Sequence, residues 1–308
     1  MSGPRGPGGP GGPRRGGDDG RGGGDGRGGG DGRGGERRGG GGAPRSDGPG
    51  ERVVYGAGPV RELLERRPKS VRALWTDPRR AGRSTSDPVA AFVMAARAAG
   101  ITVEDRDRPA LDRAAGEGAT HQGVIAWLGP FVYADLADLT VAGAEPPLII
   151  ALDGVEDPRN LGAILRSAYL LGARGVVIQD HRAAQVTAVV AKASAGASEL
   201  LPVALVGNLV RALEELRDHG LWRVAVHATE TAQPIADIDA SLGLCLVLGA
   251  EGAGVRPLVA KTCDFHAVIP MARTAVGSFN VSVAASIALY ELRRQRLARA
   301  TVGVADDA

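Results

Sequence analysis

Apolar and polar positions alternate along this chain in two blocks, separated by a stretch with little pattern. In the first block Val53-Val54-Tyr55 reads as a short strand. Gly56 follows it, and then a helix begun by Pro59 that sets Val60, Leu63 and Leu64 on one face. Val71–Trp75 reads as a strand and Pro88–Ala99 as a helix ended by Gly100; Ile101–Val103 and Gly123–Trp127 read as further strands. These make a small α/β unit over residues 51–129. Residues 130–146 run up to the breaker Glu145-Pro146-Pro147 and read as a linker.

In the second block, 147–299, strands are expected at Leu148–Leu152, Gly175–Ile178, Trp222–Val226, Leu244–Leu248 and Ala267–Ile269. Helices are expected at Leu161–Leu171, Gln185–Ala193, Leu209–Asp218, Pro257–Lys261 and Val281–Leu297, and 300–308 reads as a short tail. Strands separated by helices imply a parallel sheet covered on both faces, which takes ligands outside the carboxyl ends of its strands.

Composition removes the first fifty residues from this picture. They are rich in glycine, proline, arginine and aspartate, with Asp19–Gly24 repeated at Asp25–Gly30 and nearly again from Asp31. Without apolar residues to offset the entropy of ordering, 1–50 reads as a disordered Gly/Arg/Asp-rich tail. A formal net charge of +2 gives no global field for nucleic acid, and aspartates nearly balance the tail's arginines. Two cysteines without metal-ligand spacing indicate a reducing compartment, no disulfide framework and no metal site. No apolar window approaches a membrane span, so the expected location is cytoplasmic, with no membrane partner.

Three strand-to-loop clusters carry candidate chemistry. Asp153–Arg166 leaves a buried strand and enters a helix for which Asn160 is the expected N-cap, while Arg166 either snorkels or holds a fixed partner. Leu246–Val255 has the order G-x-x-G-x-G, which is not a dinucleotide fingerprint. Its glycines permit a tight turn with close backbone approach, and Glu251 at its centre accepts hydrogen bonds or pairs with an arginine. Ile269–Asn280 feeds a helix rich in small residues, with Ser278 and Asn280 as good caps. Three such clusters at one sheet edge are harder to explain by capping alone.

Asn160 with Arg166, Leu248–Gly254, Ile269-Pro-Met with Ser278 and Asn280, and Ala193–Ala197 resemble the ordered motifs of the SpoU/TrmH branch of the SPOUT methyltransferases. Val54-Tyr-Gly and His121–Ala126 resemble the RNA-binding domain that precedes the catalytic domain in ribosomal guanosine 2′-O-methyltransferases. The resemblance implies a deep trefoil knot in the parallel-sheet domain and a homodimer packed near it. It also implies a bent S-adenosylmethionine held by Gly249, Ile269 and Phe279, and a catalytic cluster of Asn160, Arg166, Glu251, Ser278 and Asn280. The expected reaction is methylation of a ribose 2′-hydroxyl in RNA, at a guanosine of large-subunit (23S) ribosomal RNA. The alternatives are a tRNA enzyme, an antibiotic-resistance adenosine methyltransferase and a catalytically idle RNA-binding assembly protein. In the family Arg166 is the proposed base; a guanidinium pKa above about 12 favours instead a clamp on substrate phosphate that stabilises developing charge. Two departures stand out: one extra residue between Ile269 and Ser278, with Arg273 where glycine is usual, and Phe279 in place of leucine. That loop is expected to bulge or reroute.

Overall fold

In a computed structural model the described residues are 52–81, 88–116, 118–141, 143, 145–273 and 277–306. The tail assigned to 1–50 lies outside them. The first block contains β1 (Arg52–Tyr55), α1 (Ala57–Arg66), β2 (Val71–Thr76), α2 (Pro78–Ala81), α3 (Pro88–Ala98), β3 (Thr102–Asp105), α4 (Arg108–Ala115) and β4 (Val124–Leu128). Its four strands are ordered β1-β4-β2-β3, with β4 antiparallel to both neighbours and β2 parallel to β3.

Strand parity divides the side chains between two faces. Val124, Ala126 and Leu128 meet Val60, Leu63 and Phe92 on one side, while Ile125 and Trp127 meet Leu111 and Ala115 on the other. Val71 and Leu74 share a face despite odd spacing because a register irregularity between Val71 and Ala73 resets the alternation. Helix α4 is not anticipated by the pattern. Asp107 caps it by accepting from the Ala110 N–H at 3.0 Å, with a proline in its first turn.

The second block contains β5 (Leu148–Asp153), α5 (Pro158–Leu170), β6 (Gly175–Gln179), α6 (Ala188–Ala193), β7 (Val203–Val206), α7 (Leu209–Asp218), β8 (Trp222–Val226), β9 (Gln233–Pro234), β10 (Leu244–Gly249), α8 (Pro257–Lys261), β11 (Phe265–Val268) and α9 (Val281–Asp306). Every strand pairing in this seven-stranded sheet is parallel, and the order is β7-β6-β5-β10-β8-β11-β9. Leu148, Ile150 and Leu152 of β5 face α5 and α9; Ile149 and Ala151 face α7. Gly162 on α5 permits close approach to α6, since a Cβ there would lie 2.5 Å from the Ala193 Cβ.

Several boundaries differ from expectation. Helix α5 starts at Pro158, capped by Asp157, whose Oδ1 accepts from the Arg159 N–H at 2.8 Å. Asn160 is therefore not the cap; Asp-Pro supplies the cap and first turn, and the Asn160 side chain is released for other bonds. Helix α6 begins later than the expected Gln185, because the Val186 N–H donates to the Tyr133 hydroxyl, which itself donates to Gln185 Oε1. Helix α9 continues to Asp306 rather than yielding to a tail at 300.

The expected linker is not free chain. Ala134 pairs with Ala204, and Leu139 is buried in the core on the α7 side of the large sheet. Both blocks belong to one compact unit. Arg52 of β1 forms a buried ion pair with Glu199, donates to the Gly129 carbonyl at 2.8 Å, and stacks 5.1 Å from the Phe131 ring centre. Burial pushes the Glu199 carboxyl above its ordinary pKa, with Arg52 and Ser198 opposing it. The cost of desolvating a pair buried this deeply offsets much of what its attraction contributes. The Tyr169 hydroxyl donates to Glu62 across the same junction.

Candidate active site

The loops leaving β5, β10 and β11 meet at the carboxyl edge of the large sheet, where an open α/β sheet binds ligands. The pairing of Asp153 with Gly249 sets the first two loops level. After β10 the chain turns sharply: the Gly254 N–H donates to the Ala250 carbonyl at 2.8 Å, and Gly252 and Gly254 have φ of 77° and 66°. The turn closes against its own start, so that a Cβ on Gly249 would lie 1.9 Å from the Gly254 carbonyl carbon. Only glycine fits there.

This turn brings Glu251 to Asn160 and Asn280. Asn160 Nδ2 donates to Glu251 Oε1 at 3.0 Å. Asn280 Nδ2 donates to the same oxygen and, at 3.1 Å, to Asn160 Oδ1. Asn280 also caps α9, its Oδ1 accepting from the Ser282 N–H at 2.9 Å and from the Ser282 hydroxyl at 2.6 Å. The cap expected at Asn280 is present and locks the side chain's orientation, which aims its Nδ2 at the carboxylate. Glu251 Oε1 thus collects two amides, and Oε2 is left as its remaining acceptor.

Glu251 stands between two cavities. One, of about 290 Å³, is lined by Leu248, Gly249, Val268, Ile269 and Phe279 and by residues Ala250–Val255 of the turn. Ser278 and Met271 also line it. The other, of about 350 Å³, is lined by Gly154–Asp157, Asn160, Ala250 and Val281. Of the expected cofactor positions, Gly249, Ile269 and Phe279 all reach the first cavity. Phe279 keeps 40% of its surface exposed, as a ring covering a cavity mouth would. Arg273 lies in the exposed loop before Ser278; residues 274–276 of the Ile269–Ser278 stretch, which carries the extra residue and is expected to bulge or reroute, lie outside the described residues.

Arg166 stands apart. Six residues along α5 from Asn160, it is displaced by about 9 Å of helix rise and turned well away around the axis. It is exposed, and lines a third cavity with Glu62 and Tyr169, toward the small block. Four of the five expected catalytic residues therefore gather at the sheet edge within one chain, and Arg166 does not join them.

Sequence reasoning missed two further groups. His227, at the carboxyl end of β8, lines the first cavity, and its Nε2 is 2.8 Å from Nδ1 of His266 on β11. Burial, and then His266, hold its pKa below the ordinary histidine value. Asp153, buried beneath the β5 loop, accepts hydrogen bonds from Arg256. Both groups join residues far apart in sequence, so only strand register brings them together. Among the described residues no cluster of three or more metal-ligating side chains occurs, and no helix is long and apolar enough to cross a membrane.

Two families of known proteins match successive parts of the chain. The SpoU rRNA Methylase family matches residues 147–290, and the RNA 2′-O ribose methyltransferase substrate binding family matches 53–134. The chain is 42% identical over 248 residues to the 23S rRNA (guanosine-2′-O-)-methyltransferase RlmB of Pseudomonas aeruginosa, an alignment covering 79% of this chain and 96% of the relative. Among solved structures, the SpoU methyltransferase AviRb from Streptomyces viridochromogenes in complex with AdoMet superposes with a TM-score of 0.65 at 26% identity, covering 81% and 92% of the two chains. An AdoMet-bound rRNA methyltransferase from Sinorhizobium meliloti does so at 0.63 and 25% identity, covering 79% and 87%.

Proposed function

The chain belongs to the SpoU rRNA methylase family, and from that premise we propose that it methylates the ribose 2′-hydroxyl of a guanosine in large-subunit (23S) ribosomal RNA, using S-adenosylmethionine. The observation that carries the reading is the Asn160–Glu251–Asn280 network at the wall shared by two cavities, one lined by Leu248, Ile269, Phe279 and the Gly249–Gly254 turn, the other by Gly154–Asp157 and Asn160.

The first cavity suits the cofactor. Leu248, Ile269 and Phe279 offer an adenine ring flat apolar surface, main-chain groups of the Gly249–Gly254 turn offer hydrogen bonds, and Glu251 supplies a carboxylate near a cation. When bound there, S-adenosylmethionine supplies an electrophilic methyl group on a sulfonium. The second cavity takes the ribose. Asn160 and Asn280 fix the Glu251 carboxylate, whose Oε2 then orients the attacking hydroxyl and accepts its hydrogen bond. Ser278, on the cavity wall, is placed as a further polar contact. Arg166, exposed on α5 and close to the small block, serves as a clamp on RNA phosphate; its permanently charged guanidinium suits that role and not proton abstraction.

The small domain, matched by a substrate-binding family, presents the RNA to this edge. The active form is a homodimer whose contact includes α5 and α9, supported by the exposed Leu170, Val283 and Tyr290 on those two packed helices. Its place is the cytosol, where ribosomal RNA is modified; the two cysteines are free. Mapping 2′-O-methyl positions in total RNA from a strain lacking this protein tests the substrate. Loss of one large-subunit guanosine methyl is expected. Loss confined to tRNA, or at an adenosine, would overturn the choice.

A further inference from the structure

The network at the sheet edge leaves unexplained a carboxylate just beneath it. Asp153, the last residue of β5, is 1% exposed. Its Oδ2 accepts from the Arg256 backbone N–H at 2.8 Å and its Oδ1 from Arg256 Nε at 2.7 Å. The same guanidinium donates through Nη2 to Gln179 Oε1, at the end of β6, at 3.0 Å. Arg256 follows the Gly249–Val255 turn directly, and Asp153 directly precedes the loop that leads to Asn160. One side chain thus ties the ends of two strands to the far end of the turn that carries Glu251. The turn itself contains two glycines at positive φ, so its own backbone does little to fix where that far end lies.

We propose that Asp153 and Arg256 are a positioning pair that sets the height of the Gly249–Gly254 turn, and hence both the shape of the cofactor cavity and the meeting of Glu251 with Asn160. The inference rests on the reading of that cavity as the S-adenosylmethionine site. Neither residue touches the reacting atoms. Both Asp153 oxygens face donors of Arg256, so an asparagine there sets its own N–H₂ against one of them. A lysine at 256 keeps the charge and loses the fork that reaches Asp153 and Gln179 together.

The test compares wild type, Asp153→Asn, Arg256→Lys and the double variant by calorimetric binding of S-adenosylhomocysteine, by methyl transfer and by thermal melting. Each single change is expected to weaken S-adenosylhomocysteine binding about tenfold and to lower kcat, with the double no worse than the more damaging single, as for two residues acting as one unit. Singles that melt earlier yet keep wild-type affinity and kcat would overturn the proposal, as would losses that multiply in the double. If Asp153→Asn does not fold, Arg256→Lys decides by the affinity and kcat criteria. Wild type that binds no S-adenosylhomocysteine overturns the reading of the cavity and the pair with it. Wild type that binds, beside variants that bind equally well, overturns the pair alone.

Discussion

Replacing Gly249 with alanine probes the turn on which the site depends. The added Cβ would lie 1.9 Å from the Gly254 carbon, 2.0 Å from its oxygen and 2.2 Å from the Val255 nitrogen. Ordinary carbon contacts are about 3.5–4.0 Å, so the two strands of the turn must part by roughly 1.5 Å or more. Every crowding atom is backbone, so no rotamer change relieves it. Overpacking of this kind costs about 1–3 kcal/mol, occasionally more, and this case belongs at the upper end. At about 2–4 °C per kcal/mol for a chain of this size, the melting temperature should fall by roughly 6–12 °C. The displaced turn also carries Glu251 away from Asn160 and opens the cavity, so S-adenosylhomocysteine affinity should drop at least about tenfold. Gly58, in the first turn of α1, serves as the control: a Cβ added there would meet no heavy atom within 4 Å, and alanine should be neutral or slightly stabilising. Scanning fluorimetry and calorimetry on both variants measure this. A Gly249→Ala protein that melts within about 2 °C of wild type and binds the ligand normally would refute the argument.

Three further outcomes follow from the same geometry. Glu251→Gln removes the charge with little change of shape, so kcat should fall about a hundredfold while S-adenosylhomocysteine affinity changes little; turnover within about twofold of wild type would contradict the role given to this carboxylate. Burial opposes the charge on Asp264, yet hydrogen bonds from Arg223 outweigh it and hold its pKa below the usual carboxylate value. The folded state then binds fewer protons, so this stabilisation is full above about pH 4 and is lost as pH falls through the folded value; the melting gap between wild type and Asp264→Asn should shrink on acidification, and a gap constant from about pH 7 to about pH 3 would contradict it. The fold also lowers the pKa of His227, here by burial and by His266, so acidification below about pH 6.5 should destabilise wild type more than His227→Gln, as read from paired melts at about pH 7.5 and 5.5.

The catalytic fold was legible because its strands are buried on both faces and read as apolar runs between helices, as at Leu148–Leu152 and Leu244–Leu248. Elements with too few residues to show a period were not: β9 has two residues, and β7 has four between Pro202 and Gly207. Helix α4 was missed despite its Asp107 cap and early proline, because its short apolar face is Leu111 and Ala115. Around the site, the loops were legible because caps and glycines are local signals. What the loops do to one another was not. The Asp153–Arg256 and His227–His266 contacts depend on which strands lie side by side, and β10 lies between β5 and β8 although it follows both in sequence. The separation of Arg166 from Asn160 follows from the helical period, and becomes evident once the neighbours of α5 are known.

The proposed methyl acceptor is a single oxygen atom, the ribose 2′-hydroxyl of a guanosine. Incubating the purified protein with 23S ribosomal RNA and methyl-labelled S-adenosylmethionine, then digesting with alkali, reports where the methyl goes, since a methylated 2′-oxygen blocks cleavage of the adjacent phosphodiester. Label is expected in an alkali-resistant dinucleotide that contains guanosine. Label that appears only in mononucleotides, as base methylation would give, would contradict it.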